Sequence, residues 1–252
     1  TADGATAARA AARPRHPPPG PSATGGDVVW LSSRAEEGGG TVIRSYADLA
    51  REVMRRPPKL GPVRLVAVDG PSGAGKTHFS DRLATALRGA GAQVTVVRTD
   101  DLLDGWDDQF TFWSRLEERV LAPLRQGRPG AYHPYDWERG RFAARRVSVP
   151  ARGVVILDGV SSARAAVRPE LTLAVFLTVP DEVVLARAVA RDGEALRPNL
   201  ERWRRRERPH FAADATAAHA DLVVAGAAEA AYDPATEFVR VDAPPDLGDD
   251  RR

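Results

Sequence analysis

An α/β fold with a doubly wound, mostly parallel five-stranded sheet is what this 252-residue sequence predicts. Three observations carry that reading. Segments 63–69, 92–98, 153–159 and 171–179 are near-continuous apolar runs, the pattern of strands buried on both faces. Helical patterns fall between strands, so successive strands must cross over and pair in parallel. One strand, "VRLVAVD", runs directly into a glycine-rich turn and a helix, "GPSGAGKTHFSDRLATAL".

The elements follow in order. Residues 1–26 are Ala, Arg, Pro and Gly with almost no large apolar side chain, too little to offset the entropy of ordering, and read as a flexible arm. "DVVWLSS" at 27–33 reads as a short strand. "SYADLAREVMRR" at 45–56 reads as a helix capped by Ser45, with Leu49, Val53 and Met54 on one face and Pro57-Pro58 as its stop. The helix after the glycine-rich turn covers about 78–89 and ends at Gly89 and Gly91. Strand 171–179 gives way at Pro180-Asp181 to a helix running to about Asp192. "ADLVVAG" at 220–226 is the fifth strand, and "EFVRV" at 237–241 is a candidate sixth. Residues 27–242 then form one domain, with a substrate-binding insertion at about 100–150 and a lid region at about 187–212, followed by a polar tail at 243–252. The insertion holds eight of the 16 aromatic residues, from Trp106 to Phe142. Either a local core or the wall of a pocket for a ring-shaped substrate would use them.

Composition narrows the function classes. Lys plus Arg number 36 against 34 Asp plus Glu, a net charge of +2, which is not the balance of a protein that coats nucleic acid. Lys59 and Lys76 are the only lysines in a chain rich in Arg, Ala, Gly and Pro, the usage of a GC-rich genome of the actinobacterial kind. There is no cysteine, hence no disulfide frame and no thiolate chemistry. No run reaches the ~18 apolar residues of a membrane span, and the N-terminal residues lack the apolar segment of a secretory signal, so a cytoplasmic location is expected. A homo-oligomer is compatible with the sequence.

The turn Gly70-Pro71-Ser72-Gly73-Ala74-Gly75-Lys76-Thr77 fits G-x-x-x-x-G-K-[ST] in its proper setting between strand and helix. The glycines let successive N–H groups point inward as an anion nest, and the helix start adds its positive end. Gly70, Ser72, Gly73, Ala74, Gly75, Lys76, Thr77 and His78 are therefore the candidate nucleotide-binding residues. "VVILDGV" ends a strand on Asp158, in the place of an acid that with Thr77 would hold Mg²⁺; a turn-forming "DG" is the plainer reading. Motor ATPases follow that acid with a water-activating glutamate, whereas Gly159 follows here, and no Asn-Lys-x-Asp guanine-reading motif occurs. Asp100 and Asp101 end the second strand, at the sheet edge where ligands bind. A carboxylate there suits a general base for an acceptor hydroxyl, or a helix N-cap.

The ordered set "GPSGAGKT", "TDDLL", "YDW", "ILDG" and an arginine-bearing helix resembles the uridine kinase and phosphoribulokinase group of P-loop kinases, over roughly residues 60–226. The resemblance implies a P-loop nucleoside triphosphate hydrolase fold, ATP and Mg²⁺. It matches the base to Asp100 and the Mg²⁺-associated acid to Asp158. The substrate segment matches Tyr135-Asp136-Trp137, and the lid arginines fall near Arg187, Arg191 and Arg197. Arg187 and Arg191, four apart, would share a helix face and grip the transferring phosphate, or simply face solvent. Leu102-Leu103 replace the aromatic pair that uridine kinases carry, and Arg139 and Arg141 follow "YDW" with no histidine, while His133 lies upstream.

The arginine-rich stretch 199–221 reads as a lid element or a solvated basic helix, and His210, Asp214, His219 and Asp221 do not force a metal site. The sequence thus predicts transfer of the γ-phosphate of ATP to a hydroxyl of a small molecule, a nucleoside or related alcohol. Catalytic candidates are Asp100, Lys76, Arg187 and Arg191; acceptor-binding candidates are Asp101, Trp106, Tyr135, Trp137, Arg139 and Arg141. A sugar, pantothenate-like or antibiotic-type acceptor keeps the fold, and a low-turnover nucleotide-binding regulator is the reading from another class. No nucleic-acid or membrane partner is expected.

Overall fold

The computed structural model describes residues 41–241. The expected arm at 1–26, strand at 27–33 and tail at 243–252 lie outside the described residues. The chain opens with β1 (Thr41–Ser45) and α1 (Tyr46–Arg55), where the Ser45 hydroxyl accepts from the Asp48 N–H as its cap. Next come β2 (Arg64–Asp69), α2 (Lys76–Gly89) and β3 (Val94–Arg98). The insertion begins with a 3-10 turn over Thr99–Asp101. It continues through α3 (Trp113–Leu116), a π turn over Glu117–Leu121, and α4 (Ala122–Arg125). Four short strands close it: β4 (Gly130–Tyr132), β5 (Tyr135–Asp136), β6 (Arg141–Phe142) and β7 (Val147–Val149), paired β4 with β7 and β5 with β6. The main fold resumes with β8 (Val154–Asp158), β9 (Leu171–Thr178) and α5 (Asp181–Asp192). It ends with α6 (Arg197–Asp214), β10 (Leu222–Ala225) and β11 (Glu237–Val241).

The main sheet has seven strands, not five, in the order β1-β11-β10-β9-β2-β8-β3. Its five parallel strands, β10, β9, β2, β8 and β3, correspond to the four apolar runs and the fifth strand read at 220–226. β11 and β1 extend it with antiparallel pairing. β1 escaped the sequence reading because it is an edge strand: its Val42 and Ile43 are exposed and give no buried run.

Period-2 alternation sends successive residues of the central strands to opposite faces. Val66, Val68, Ile156 and Val175 pack with Leu49 and Val53 of α1 and Phe79, Leu83 and Leu87 of α2. Leu65, Ala67, Val155 and Leu157 pack on the other side with Phe112, Leu116 and Leu121 of the insertion and Trp203 of α6. The two cores fix the doubly wound arrangement. They also bring the carboxyl ends of β2, β8 and β3 to one rim of the sheet, where ligand crevices form in this architecture. Among the described residues no helix is long and apolar enough to cross a membrane.

Candidate active site

At that rim lies a cleft of about 570 Å³. Its floor is the glycine-rich loop, through Ser72, Gly73, Gly75, Lys76 and Thr77. Gly75, at φ +91°, is the N-cap of α2 and supplies no side-chain cap, so the helix's first N–H groups face the cleft end rather than a capping hydroxyl. That start is two residues earlier than expected, at Lys76. The Lys76 ammonium is nearly buried and donates to the Gly70 and Pro71 carbonyls, both at 2.9 Å. Gly70, Ala74 and His78 do not line the cleft. Gly70 offers its carbonyl to Lys76, Ala74 is fully buried, and His78 is exposed on the helix.

Two buried carboxylates frame the loop. Asp69 accepts from the N–H groups of Gly70 (2.7 Å), Ser161 (2.9 Å) and Ala163 (2.9 Å), tying the glycine-rich loop to the turn after β8. Burial pushes its carboxyl up to about 6, against the pull of those donors and of Lys76. Asp158 lines the cleft and pairs with Arg98 at 3.2 Å. Burial pushes it too up to about 6, while Arg98, Lys76 and Thr77 draw it back down and Asp100 adds to the rise. Its Oδ1 is buried without a hydrogen-bond partner among the described residues. An orphaned carboxylate oxygen beside the Thr77 hydroxyl is the donor set a hard cation takes up, so these residues fit Mg²⁺. Among the described residues no group of three or more His, Cys, Asp or Glu could hold a metal ion by itself. Asp214, read from sequence beside His210, is instead bonded to Arg168 and to the Ala165 N–H.

Gly159 answers the question of a water-activating residue. At φ +148°, a Cβ built there would stand 1.7 Å from Thr99 Oγ1. A side chain at this position is strained by its backbone and would force Thr99 to move, so packing as well as sequence disfavours the glutamate of motor ATPases.

Opposite the loop, Asp100 and Asp101 both line the cleft. They sit inside the 3-10 turn, whose N-cap is Arg98 with no side-chain bond, so neither acts as a cap. Asp101 is held by the Tyr132 hydroxyl, which donates to it at 3.3 Å; burial, then Asp100, raises its pKa. Asp100 is anchored through its backbone, whose carbonyl accepts from Trp137 Nε1 at 3.2 Å.

The acceptor wall differs in part from the sequence expectation. Tyr135 and Trp137 line the cleft. Trp106 does not: it is packed edge-on between Trp137 (5.3 Å between ring centres) and Trp203 (4.9 Å), as core behind the wall. Arg139 and Arg141 are exposed and outside the lining, with Arg139 paired to Asp136 at 3.6 Å. Arg98 and Arg145 also reach the cleft, beside Arg191, and the sequence reading missed both among many identical candidates. Leu102 and Leu103 are buried in the core, so they leave no gap in the wall.

Arg187 and Arg191 do not act together. Arg191 lines the cleft and makes two 2.7 Å hydrogen bonds to Asp192, whereas Arg187 donates to the Gly226 carbonyl at 2.7 Å. Arg197 pairs with exposed Glu194. The region expected to be a lid is largely α6, and its arginine face carries Arg202 and Arg206 within 3.5 and 3.8 Å of Asp107. Glu207 on the same helix, unnoticed within "RRRERPH", is buried against the glycine-rich loop and accepts from the Ser72 N–H at 3.0 Å.

A comparison with models of known protein families finds no match. The chain is 30% identical over 137 residues to inorganic pyrophosphatase TTM1 of Arabidopsis thaliana, which covers 51% of this chain and 20% of the relative. It is 26% identical over 141 residues to uridine-cytidine kinase C of Dictyostelium discoideum, covering 52% and 30%. The chain thus spans between a fifth and a third of the length of the curated relatives it matches. Among solved structures it is similar to a possible uridine kinase from Bacillus stearothermophilus, at a TM-score of 0.54 and 19% identity, over 71% of this chain and 96% of that one. That likeness is one of fold, an α/β architecture.

Proposed function

We propose that the chain is an ATP- and Mg²⁺-dependent small-molecule kinase. The observation that carries the reading is the pairing of a crowded position at Gly159 with a carboxylate at Asp100: a site that disfavours a water-activating side chain, and with a base across the cleft from the loop. In this reading the loop N–H groups and Lys76 bind the triphosphate. Thr77 and Asp158 would hold Mg²⁺, which when bound neutralises phosphate charge. The acceptor lies against Tyr135 and Trp137, aromatic faces suited to a planar ring such as a nucleoside base. Asp100 takes the acceptor's proton as its oxygen bonds to the γ-phosphorus and the bond to the leaving ADP oxygen breaks. Arg191 offers a guanidinium to the charge on the transferring group. A small acceptor in the cytoplasm is the matching setting.

The test is ADP release from ATP with a panel of nucleosides, sugars and other alcohols. Acceptor-stimulated release, abolished by Asp100→Asn while ATP binding survives, is expected. Unstimulated release that Asp100→Asn leaves untouched would defeat the proposal and favour the regulator reading. The similarity to proteins named pyrophosphatases motivates a second arm: phosphate release from pyrophosphate without any acceptor would point to hydrolysis instead.

A further inference from the structure

The glycine-rich loop is held from the far end of the sequence. Glu207 is 2% exposed, and both of its carboxylate oxygens are engaged. Oε2 accepts from the Ser72 N–H at 3.0 Å, and Oε1 accepts from the Ser72 hydroxyl and from Gln109 Nε2, the latter at 3.2 Å. The same Gln109 Nε2 reaches the Trp203 carbonyl at 3.4 Å. Three segments therefore meet at one carboxylate: the loop, the aromatic insertion and α6.

A buried carboxylate is costly to desolvate and is retained only where donors satisfy it. Here three donors do so, and two belong to Ser72, a residue that lines the cleft. Ser72 precedes Gly73, whose φ of +91° belongs to the wide range open to glycine. Such a segment has many conformations to lose unless something fixes it. We propose that Glu207 is a positioning residue for the nucleotide: it pins Ser72, and so the first half of the loop, in the shape that leaves the N–H groups nearer Lys76 turned toward a phosphate. Its contact with Gln109 joins that pin to the insertion that carries the acceptor wall. This rests on the loop binding a triphosphate, as in the proposed function.

The experiment measures MgATP affinity of the full chain by calorimetry, with thermal unfolding as the control for folding. Glu207→Ala removes both acceptors and is expected to weaken MgATP about tenfold or more, since buried donors bonded to a charged group are then left unsatisfied. Glu207→Gln keeps the shape and one acceptor oxygen; the Ser72 hydroxyl can turn to receive its amide, and Gln109 can flip to present to it an Oε1 otherwise unpaired among the described residues, so the variant is expected to bind within about threefold of wild type. Ser72→Ala, which leaves the carboxylate and the Ser72 backbone in place, is expected to weaken binding about twofold to fivefold. An alanine variant at 207 that folds and binds like wild type overturns the proposal, as does a glutamine variant no better than the alanine. If Glu207→Ala does not fold, unchanged binding by Ser72→Ala overturns it and the expected loss supports it. Wild-type protein that binds no MgATP overturns the kinase reading itself, which is a different result from normal binding that ignores Glu207.

Discussion

Replacing Gly159 by alanine tests the packing that disfavours a side chain behind Asp158. The added methyl would stand 1.7 Å from Thr99 Oγ1, 2.8 Å from its Cβ and 3.1 Å from its Cγ2. Thr99 is 2% exposed, so it has little space into which to retreat. Two costs add. An L-residue at φ +148° loses roughly 1–2 kcal/mol to the clash between its Cβ and its own backbone. Forcing a methyl into filled space costs roughly another 1–3 kcal/mol. The expected destabilisation is about 2–5 kcal/mol, and for a domain of this size each kcal/mol lowers the melting temperature by about 2–4 °C. Thr99→Ala removes the two atoms of the clash that lie beyond Cβ. By itself it costs about 1 kcal/mol, but in the double variant it should return about 1–3 kcal/mol, a coupling that only touching residues show. Urea unfolding of the four proteins gives the cycle. Gly159→Ala within about 0.5 kcal/mol of wild type, or a double variant that is merely additive, would refute the steric argument.

Three other outcomes follow from the site. Asp158 must be ionised to hold a cation, and its pKa is raised to about 6, so metal binding is intact above that value and lost as pH falls through it. The Mg²⁺ dependence of nucleotide binding should weaken about tenfold between pH 7 and pH 5, and Asp158→Asn should flatten that profile. Arg191→Ala should lower turnover by roughly 10²-fold, as loss of a charge-stabilising donor does, whereas Arg187→Ala, bonded outside the cleft, should stay within about twofold in the same steady-state assay. Trp137→Phe keeps an aromatic face but loses the N–H that holds the Asp100 carbonyl. It should cost about 1 kcal/mol, read as a fall of about fivefold in kcat with a smaller change in the acceptor KM.

The fold was legible where burial is two-sided. β2, β8 and β9 are almost wholly buried, and an apolar run is the direct trace of that. β1 is an edge with exposed Val42 and Ile43, and it leaves no such trace. The glycine-rich loop, Asp100, Asp158, Tyr135 and Trp137 were legible because motif and strand end fix them locally. The arginines were legible only in part: Arg191 lines the cleft, but Arg98 and Arg145 went unread. Nothing in "ERGRFAARR" separates Arg145 from Arg139 and Arg141, because the β5–β6 pairing decides which of them turns inward. Trp106 misled for the opposite reason, since an aromatic near a pocket is equally useful behind its wall. Glu207 lay in a run that reads as solvated charge. A single acid among arginines was the available sign, and only the packing of α6 through Trp203 explains why that one faces the loop.

The choice between the two aspartates turns on how their charges are spent. Asp101 is half-buried, accepts from the Tyr132 hydroxyl, and has its pKa raised by burial and by Asp100. That bond commits one of its carboxylate oxygens to Tyr132. Asp100 differs in its reach. Its charge raises the pKa of both Asp101 and Asp158, and that of Arg191. Once Asp100 is protonated, its repulsion of Asp158 ends, and Asp158 becomes more firmly anionic. The cation site would therefore strengthen at the stage of the reaction when negative charge gathers on the leaving phosphate. In the proposed reaction Asp100 would thus link the acceptor half of the cleft to the donor half.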